Sequence, residues 1–156
     1  MYSQQRTINE PNEDMEKVEL FFSCRNLIDM DTFTKSDPQI RLYQRTQQGW
    51  NLVDKTEIIW DNLNPDFAKS FTLDYIFEIQ QTFKVEVVDI DSGDETDFIG
   101  ECEFELGELM GSKNNMLILN LNNSKARNNS GGKCIIRAET VQKQNDYIHM
   151  QFKVSN

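Results

Sequence analysis

Apolar and polar positions alternate with a period of two along most of this chain, the mark of strands with one dry face. The pattern is clearest at 17–25, where Val18, Leu20, Phe22 and Cys24 fall on one side and Lys17, Glu19, Ser23 and Arg25 mostly on the other. It recurs at 83–89, where Phe83, Val85 and Val87 alternate with Lys84 and Glu86. Further strands are expected near 39–45, 50–59, 69–77, 98–105, 116–121 and 133–140. A turn at Gln47-Gln48-Gly49 and another over 61–65, rich in Asn and closed by Pro65, separate neighbouring strands. Residues 106–112 read as a short helical turn or a loop, and 122–133 as a flexible Asn-, Ser- and Gly-rich loop. Short strands at this spacing with little helix indicate an all-β fold, an eight-stranded antiparallel β-sandwich. A last alternating run, Ile148, Met150, Phe152 and Val154, adds an extra C-terminal strand.

Composition narrows the class. The chain has 156 residues, 38% of them hydrophobic with ten Phe, which suits a single globular domain. Residues 1–15 are polar and without periodicity, and are read as a mobile leader. No apolar run approaches the ~20 residues of a membrane span, and the N-terminus lacks a signal-peptide core. Cys24, Cys102 and Cys134 are few, odd in number and widely spaced. A reduced, cytoplasmic setting fits them better than a disulfide framework, which makes the sequons at Asn122 and Asn128 incidental. The net charge of -10 argues against nucleic acid as a partner. It argues equally against direct docking on an anionic membrane, which needs basic clusters.

Chemistry concentrates in two acidic loops. One follows the strand at 83–89 and carries Asp89, Asp91, Asp94, Glu95 and Asp97. Unit charges ~4 Å apart cost roughly 4 kcal/mol at an effective dielectric of 20, so the loop either splays into water or gathers around a cation. Calcium takes about 6–8 oxygen ligands, largely carboxylates and carbonyls. An EF-hand is excluded: counting from Asp89, its sixth and twelfth positions hold Asp94 and Gly100 where glycine and glutamate are needed. The other loop follows the first strand and contains Asp29, Asp31 and Asp37. In a sandwich, loops after different strands can meet at one end, so both sets could form a single cup of oxygens. Phe33, near the tip of the first loop, is either a small apolar anchor or folded against its own loop. Phe98 is read as core, Trp50 and Trp60 as sheet packing in preference to membrane anchors, and His149, the only histidine, as a surface residue. A His-dependent catalytic triad or zinc site would rest on that residue alone, and no enzyme activity is expected.

The motifs resemble the C2 domain family, the calcium-dependent lipid-binding β-sandwich, over about residues 17–140. They are the first loop ending Ser36-Asp37-Pro38, Leu63-Asn64-Pro65 before Phe67, and Asp89-Ile90-Asp91 leading to Asp97-Phe98-Ile99-Gly100. That resemblance implies Asp31, Asp37, Asp89, Asp91 and Asp97 as side-chain calcium ligands, with Asp94 auxiliary, the carbonyls of Met30 and Ile90 assisting, and Asp29 an onlooker. Phe33 and Lys35 are the implied membrane-contact residues. A narrower resemblance, carried by residues 23–31, 34–38, 54–58 and 135–139, is to the first C2 domain of copines, which hold two C2 domains and a von Willebrand A-like domain. It divides the chain into a leader (1–15), a C2 domain (16–141) and an extension (142–156) that looks like the opening of a second C2 domain. The function implied is calcium-dependent, peripheral binding to anionic phospholipid membranes, with translocation from the cytoplasm when calcium rises. The alternative is a calcium-independent sandwich that binds protein partners.

Overall fold

A computed structural model of the protein describes residues 14–29, 35–90 and 96–141. Strands run over Met15–Arg25 (β1), Pro38–Thr46 (β2), Gly49–Lys55 (β3), Phe71–Ile76 (β4), Thr82–Ile90 (β5), Thr96–Glu105 (β6), Met116–Asn122 (β7) and Ser130–Thr140 (β8). A short helix, α1 (Leu106–Gly111), follows β6. The hydrogen-bonded order is β3-β2-β5-β6-β7-β8-β1-β4, with every pairing antiparallel. The one rung joining β6 to β7 is Glu101 opposite Asn122. The strands therefore form two four-stranded layers, β3-β2-β5-β6 and β7-β8-β1-β4, in agreement with the sandwich expected from periodicity.

The alternation explains the layers. Val18, Leu20, Phe22 and Cys24 of β1 turn inward and are buried, as do Phe83, Val85 and Val87 of β5. Ile40 and Leu42, Leu121, Ile136 and Ala138 complete the same cluster, and Phe83 stacks on Phe104 with ring centroids 5.6 Å apart. Each such Val, Leu, Ile or Phe side chain contributes about 1.5–3 kcal/mol on burial. Leu106 and Leu109 of α1 close the end of the core opposite the acidic loops.

The three cysteines, distant in sequence, meet inside this core. Cys24 lies directly across the β1–β8 ladder from Cys134, and all three thiols are buried and free. Hydrogen bonds to Cys102 and Cys24, together with burial, push the Cys134 thiol well above its ordinary range.

Two elements differ from expectation for identifiable reasons. β3 ends at Lys55 because the buried Thr56 hydroxyl accepts the Ile40 N–H at 2.9 Å, a side chain taking a rung of the ladder. β8 begins at Ser130, inside what reads as flexible loop, because its glycines serve close packing. A Cβ at Gly131 would lie 2.0 Å from the Ile99 carbonyl oxygen, and Gly132 has φ +125°. The extra strand at 148–154 and the proposed leader and extension lie outside the described residues, apart from the leader's last two residues.

Candidate metal centre

The acidic end is assembled from three segments. β1 stops where Asn26 adopts a left-handed φ of 56°, a conformation asparagine tolerates. The chain beyond it is pinned on both sides. The Asn26 N–H donates to Asn64 Oδ1 at 2.9 Å, Leu27 N–H to the Leu63 carbonyl at 3.0 Å, and Ile28 N–H to the Gly131 carbonyl at 3.0 Å. The segment 61–65 is the turn its composition predicts, with Asn64 N–H donating to Asn62 Oδ1 at 2.7 Å. It also serves as a brace between the end of β1 and the start of β2.

On the β2 side, the Lys35 N–H donates to Asp61 Oδ1 at 2.8 Å and the Asn62 N–H to the Ser36 carbonyl at 3.0 Å. The Asp37 N–H donates to Asp89 Oδ1 at 2.8 Å, and the Asp37 carbonyl accepts the Ile90 N–H at 3.0 Å. Asp37 Oδ1 accepts the Asp61 N–H at 2.6 Å. Asp97 lies opposite Asp89 across the β5–β6 ladder. Asp37, Asp89 and Asp97, with the backbone of Ile90, are thus gathered at one end of the sandwich. Asp89 is completely buried at its floor, while Asp37 and Asp97 are partly exposed.

Asp31, Asp91, Asp94, Met30 and Phe33 lie outside the described residues. Among the described residues no group of three or more His, Cys, Asp or Glu side chains is close enough together to hold a metal ion by itself. Lys35 is exposed beside Asp61, and Asp29 is exposed at the root of the first loop. The donors present are carboxylate and carbonyl oxygens, a set that suits a hard cation such as calcium.

Two readings of aromatic residues are corrected. Simple alternation puts Phe98 on the inward face with Gly100, Cys102 and Phe104. The register shifts between Val87 and Val88, which face Gly100 and Phe98, so Ile99 is the extra residue of a bulge. Ile99 takes the buried position and Phe98 turns outward, 38% exposed. Trp60 is not sheet packing: with β3 ended at Lys55 it stands in the 56–65 loop, 66% exposed. Trp50 does pack on the sheet, with the Lys84 ammonium 4.9 Å from its ring centroid.

Pattern reading missed Asp61 and Trp60 as parts of this end. Turn composition marks 61–65 as a turn but carries no signal for what it touches. The far side of that loop is anchored by Glu57, whose carboxylate accepts the Ala68 N–H at 2.6 Å and the Lys69 N–H at 3.2 Å. Burial pushes the Glu57 carboxyl up, but backbone donors led by the Ala68 N–H, with the Lys69 charge, outweigh it and hold the group below the ordinary carboxylate range.

With this architecture in place, residues 20–121 match the family model of the C2 domain. The chain belongs to the C2 domain family. It is 40% identical over 146 residues to Copine-E of Dictyostelium discoideum, an alignment covering 89% of this chain and 25% of that protein. The chain therefore spans about a quarter of that relative's length. Among solved structures, a C2 domain of plant Extended Synaptotagmin 1 has a TM-score of 0.63 at 15% identity, covering 82% of this chain and 97% of that one. The calcium-bound pair of C2 domains of Extended-Synaptotagmin 2 gives a TM-score of 0.59 at 20% identity, covering 80% of this chain and 45% of that one. These two likenesses bear on the fold alone.

Proposed function

We propose that this domain binds calcium in the acidic cup and, once loaded, docks on anionic phospholipid membranes, targeting its parent protein there from the cytoplasm. The observation that carries the reading is Asp89: a wholly buried carboxylate at the junction of both acidic loops, hydrogen-bonded by Asp37 and facing Asp97. A buried negative charge with like charges around it is costly unless hydrogen bonds and an opposite charge offset it. Asp37, Asp89 and Asp97, with Asp31, Asp91, the auxiliary Asp94 and the carbonyls of Met30 and Ile90, are the residues assigned to the ion. A bound calcium supplies positive charge and coordination positions for phosphate or carboxylate oxygens of lipid headgroups.

The protein's own part is to hold the oxygens in place before the ion arrives. The hydrogen bonds among Asp37, Asp61, Asp89 and Ile90 do this, so the switch is electrostatic and needs little change of fold. The family membership supports this reading. No helix among the described residues is long and apolar enough to cross a membrane. The alternative, a calcium-independent protein-binding sandwich, has in its favour the exposed β3 edge, where Leu52 is 50% exposed. Isothermal titration separates the two: the calcium reading requires saturable calcium heat that disappears in the D89N/D91N double variant, and its absence in the wild type leaves the edge-strand alternative.

A further inference from the structure

We infer that Cys24 and Cys134 form a reversible redox pair, closing to a disulfide when peroxide reaches the core and reopening with a thiol reductant. The pair is independent of the calcium–lipid reading. The two residues face each other directly across the β1–β8 ladder, and both are completely buried. The kind of rung they occupy decides what they can do. The Cys24 N–H donates to the Pro65 carbonyl at 2.9 Å, and two residues earlier the Phe22 carbonyl accepts the Phe67 N–H at 3.1 Å. The Cys24 carbonyl accepts the Arg25 guanidinium at 2.7 Å. The backbone groups of Cys24 are therefore turned away from β8, and the two cysteines exchange no ladder bonds. Rungs of this type hold Cα atoms about 4.5 Å apart, closer than the alternate rungs, and within the ~4.4–6.8 Å that a disulfide spans.

Cys102 reaches the Cys134 thiol from the other layer, but its own partner across the β5–β6 ladder is Val85. It is the thiol left free. The chemistry balances with peroxide as the oxidant. One sulfur attacks a peroxide oxygen, the O–O bond breaks, and the thiol proton leaves with the departing oxygen as water, giving a sulfenic acid. The second sulfur attacks the first, the S–O bond breaks, and the hydroxyl leaves with the second thiol's proton as another water. The two sulfurs together give up two electrons, and peroxide is reduced to two waters. Burial makes the reaction slow, because it waits on local opening, and peroxide is far smaller than an aromatic disulfide reagent. At the short end of the permitted span the bond is of the strained, readily reduced kind that acts in redox sensing. It ties β1 to β8 one rung from Arg25 and Lys133, where the first acidic loop leaves the sheet.

The full chain is treated with hydrogen peroxide under native conditions, quenched with catalase, and read by intact mass, thiol count after unfolding and peptide mapping. The expected product has lost two hydrogens, keeps one free thiol of three and links Cys24 to Cys134, and dithiothreitol restores all three. The same oxidation in urea provides the contrast: loop closure there favours Cys102–Cys134, the shortest loop, so a native link from Cys24 to Cys134 reports the folded rung. Cys102→Ala must keep the product and Cys24→Ala must lose it. Mapping of the wild type decides the matter whether or not either variant folds. A native link that includes Cys102 overturns the pairing. Oxygen gained as sulfinic or sulfonic acid without a link, or three thiols remaining throughout, overturns the redox pair itself.

Discussion

The backbone N–H of Asp37 donates to the carboxylate of Asp89 at 2.8 Å, across 52 positions of sequence. The bond ties the loop entering β2 to the end of β5, and the Ile90 N–H returns the tie to the Asp37 carbonyl. Asp37 and Asp89, one carboxylate from each acidic run, are thereby held at one end of the fold, with Asp89 supplying an acceptor that no solvent reaches.

If that junction holds calcium, the ion stabilises the native state by mass action, by about 2.7 kcal/mol at a hundredfold excess over Kd. Calcium is expected to raise the melting temperature of the wild type and to leave that of D89N/D91N unchanged. Equal rises in both proteins would place the ion elsewhere.

Glu57 makes the anchoring of the 56–65 loop sensitive to acid. Its folded carboxyl lies below the ordinary range, so the unfolded chain binds the proton more readily. Its contribution is fully present above the unfolded carboxylate range and is lost as pH falls through the lower folded value. Glu57→Gln is expected to lower stability at pH 7 and to flatten the loss of stability on acidification, measured by urea melts at several pH values. An unchanged pH profile would contradict the role assigned to the Ala68 and Lys69 N–H groups.

Gly131 should tolerate no side chain. An added Cβ would sit 2.0 Å from the Ile99 carbonyl oxygen, and the clash involves backbone on both sides. Gly131→Ala is expected to cost on the order of 1–3 kcal/mol or more in chemical denaturation and to shift the Ile28 contact that roots the first acidic loop. A neutral result would mean that the two layers meet less closely here than described.

The three core thiols should be silent in the native state. All are buried, and the Cys134 thiol is held neutral by its partners and its surroundings. Ellman's reagent is expected to titrate none of them at pH 8 without denaturant and three per chain after unfolding. Rapid labelling of native protein would show the core open at Cys24, Cys102 or Cys134.

Strand positions were legible because burial imposes a period of two: Val18 to Cys24 and Phe83 to Val87 identify β1 and β5 without further information. Asp37, Asp89 and Asp97 were legible as candidates because carboxylates at such density need an explanation, and the sandwich topology brings their strand ends together. What escaped pattern reading depends on single backbone events. A bulge at Ile99 reverses Phe98, a hydroxyl at Thr56 ends β3 early, and a turn places Asp61 against Asp37. The meeting of Cys102 with Cys24 and Cys134 needs both layers at once, and no local window contains them.

Co-sedimentation with liposomes of phosphatidylcholine and phosphatidylserine, in calcium and in chelator, tests the central claim most directly. The calcium-charged cup requires that the wild type pellets with calcium and stays in solution with chelator, and that D89N/D91N stays in solution in both. Equal pelleting of the wild type in calcium and in chelator would contradict it.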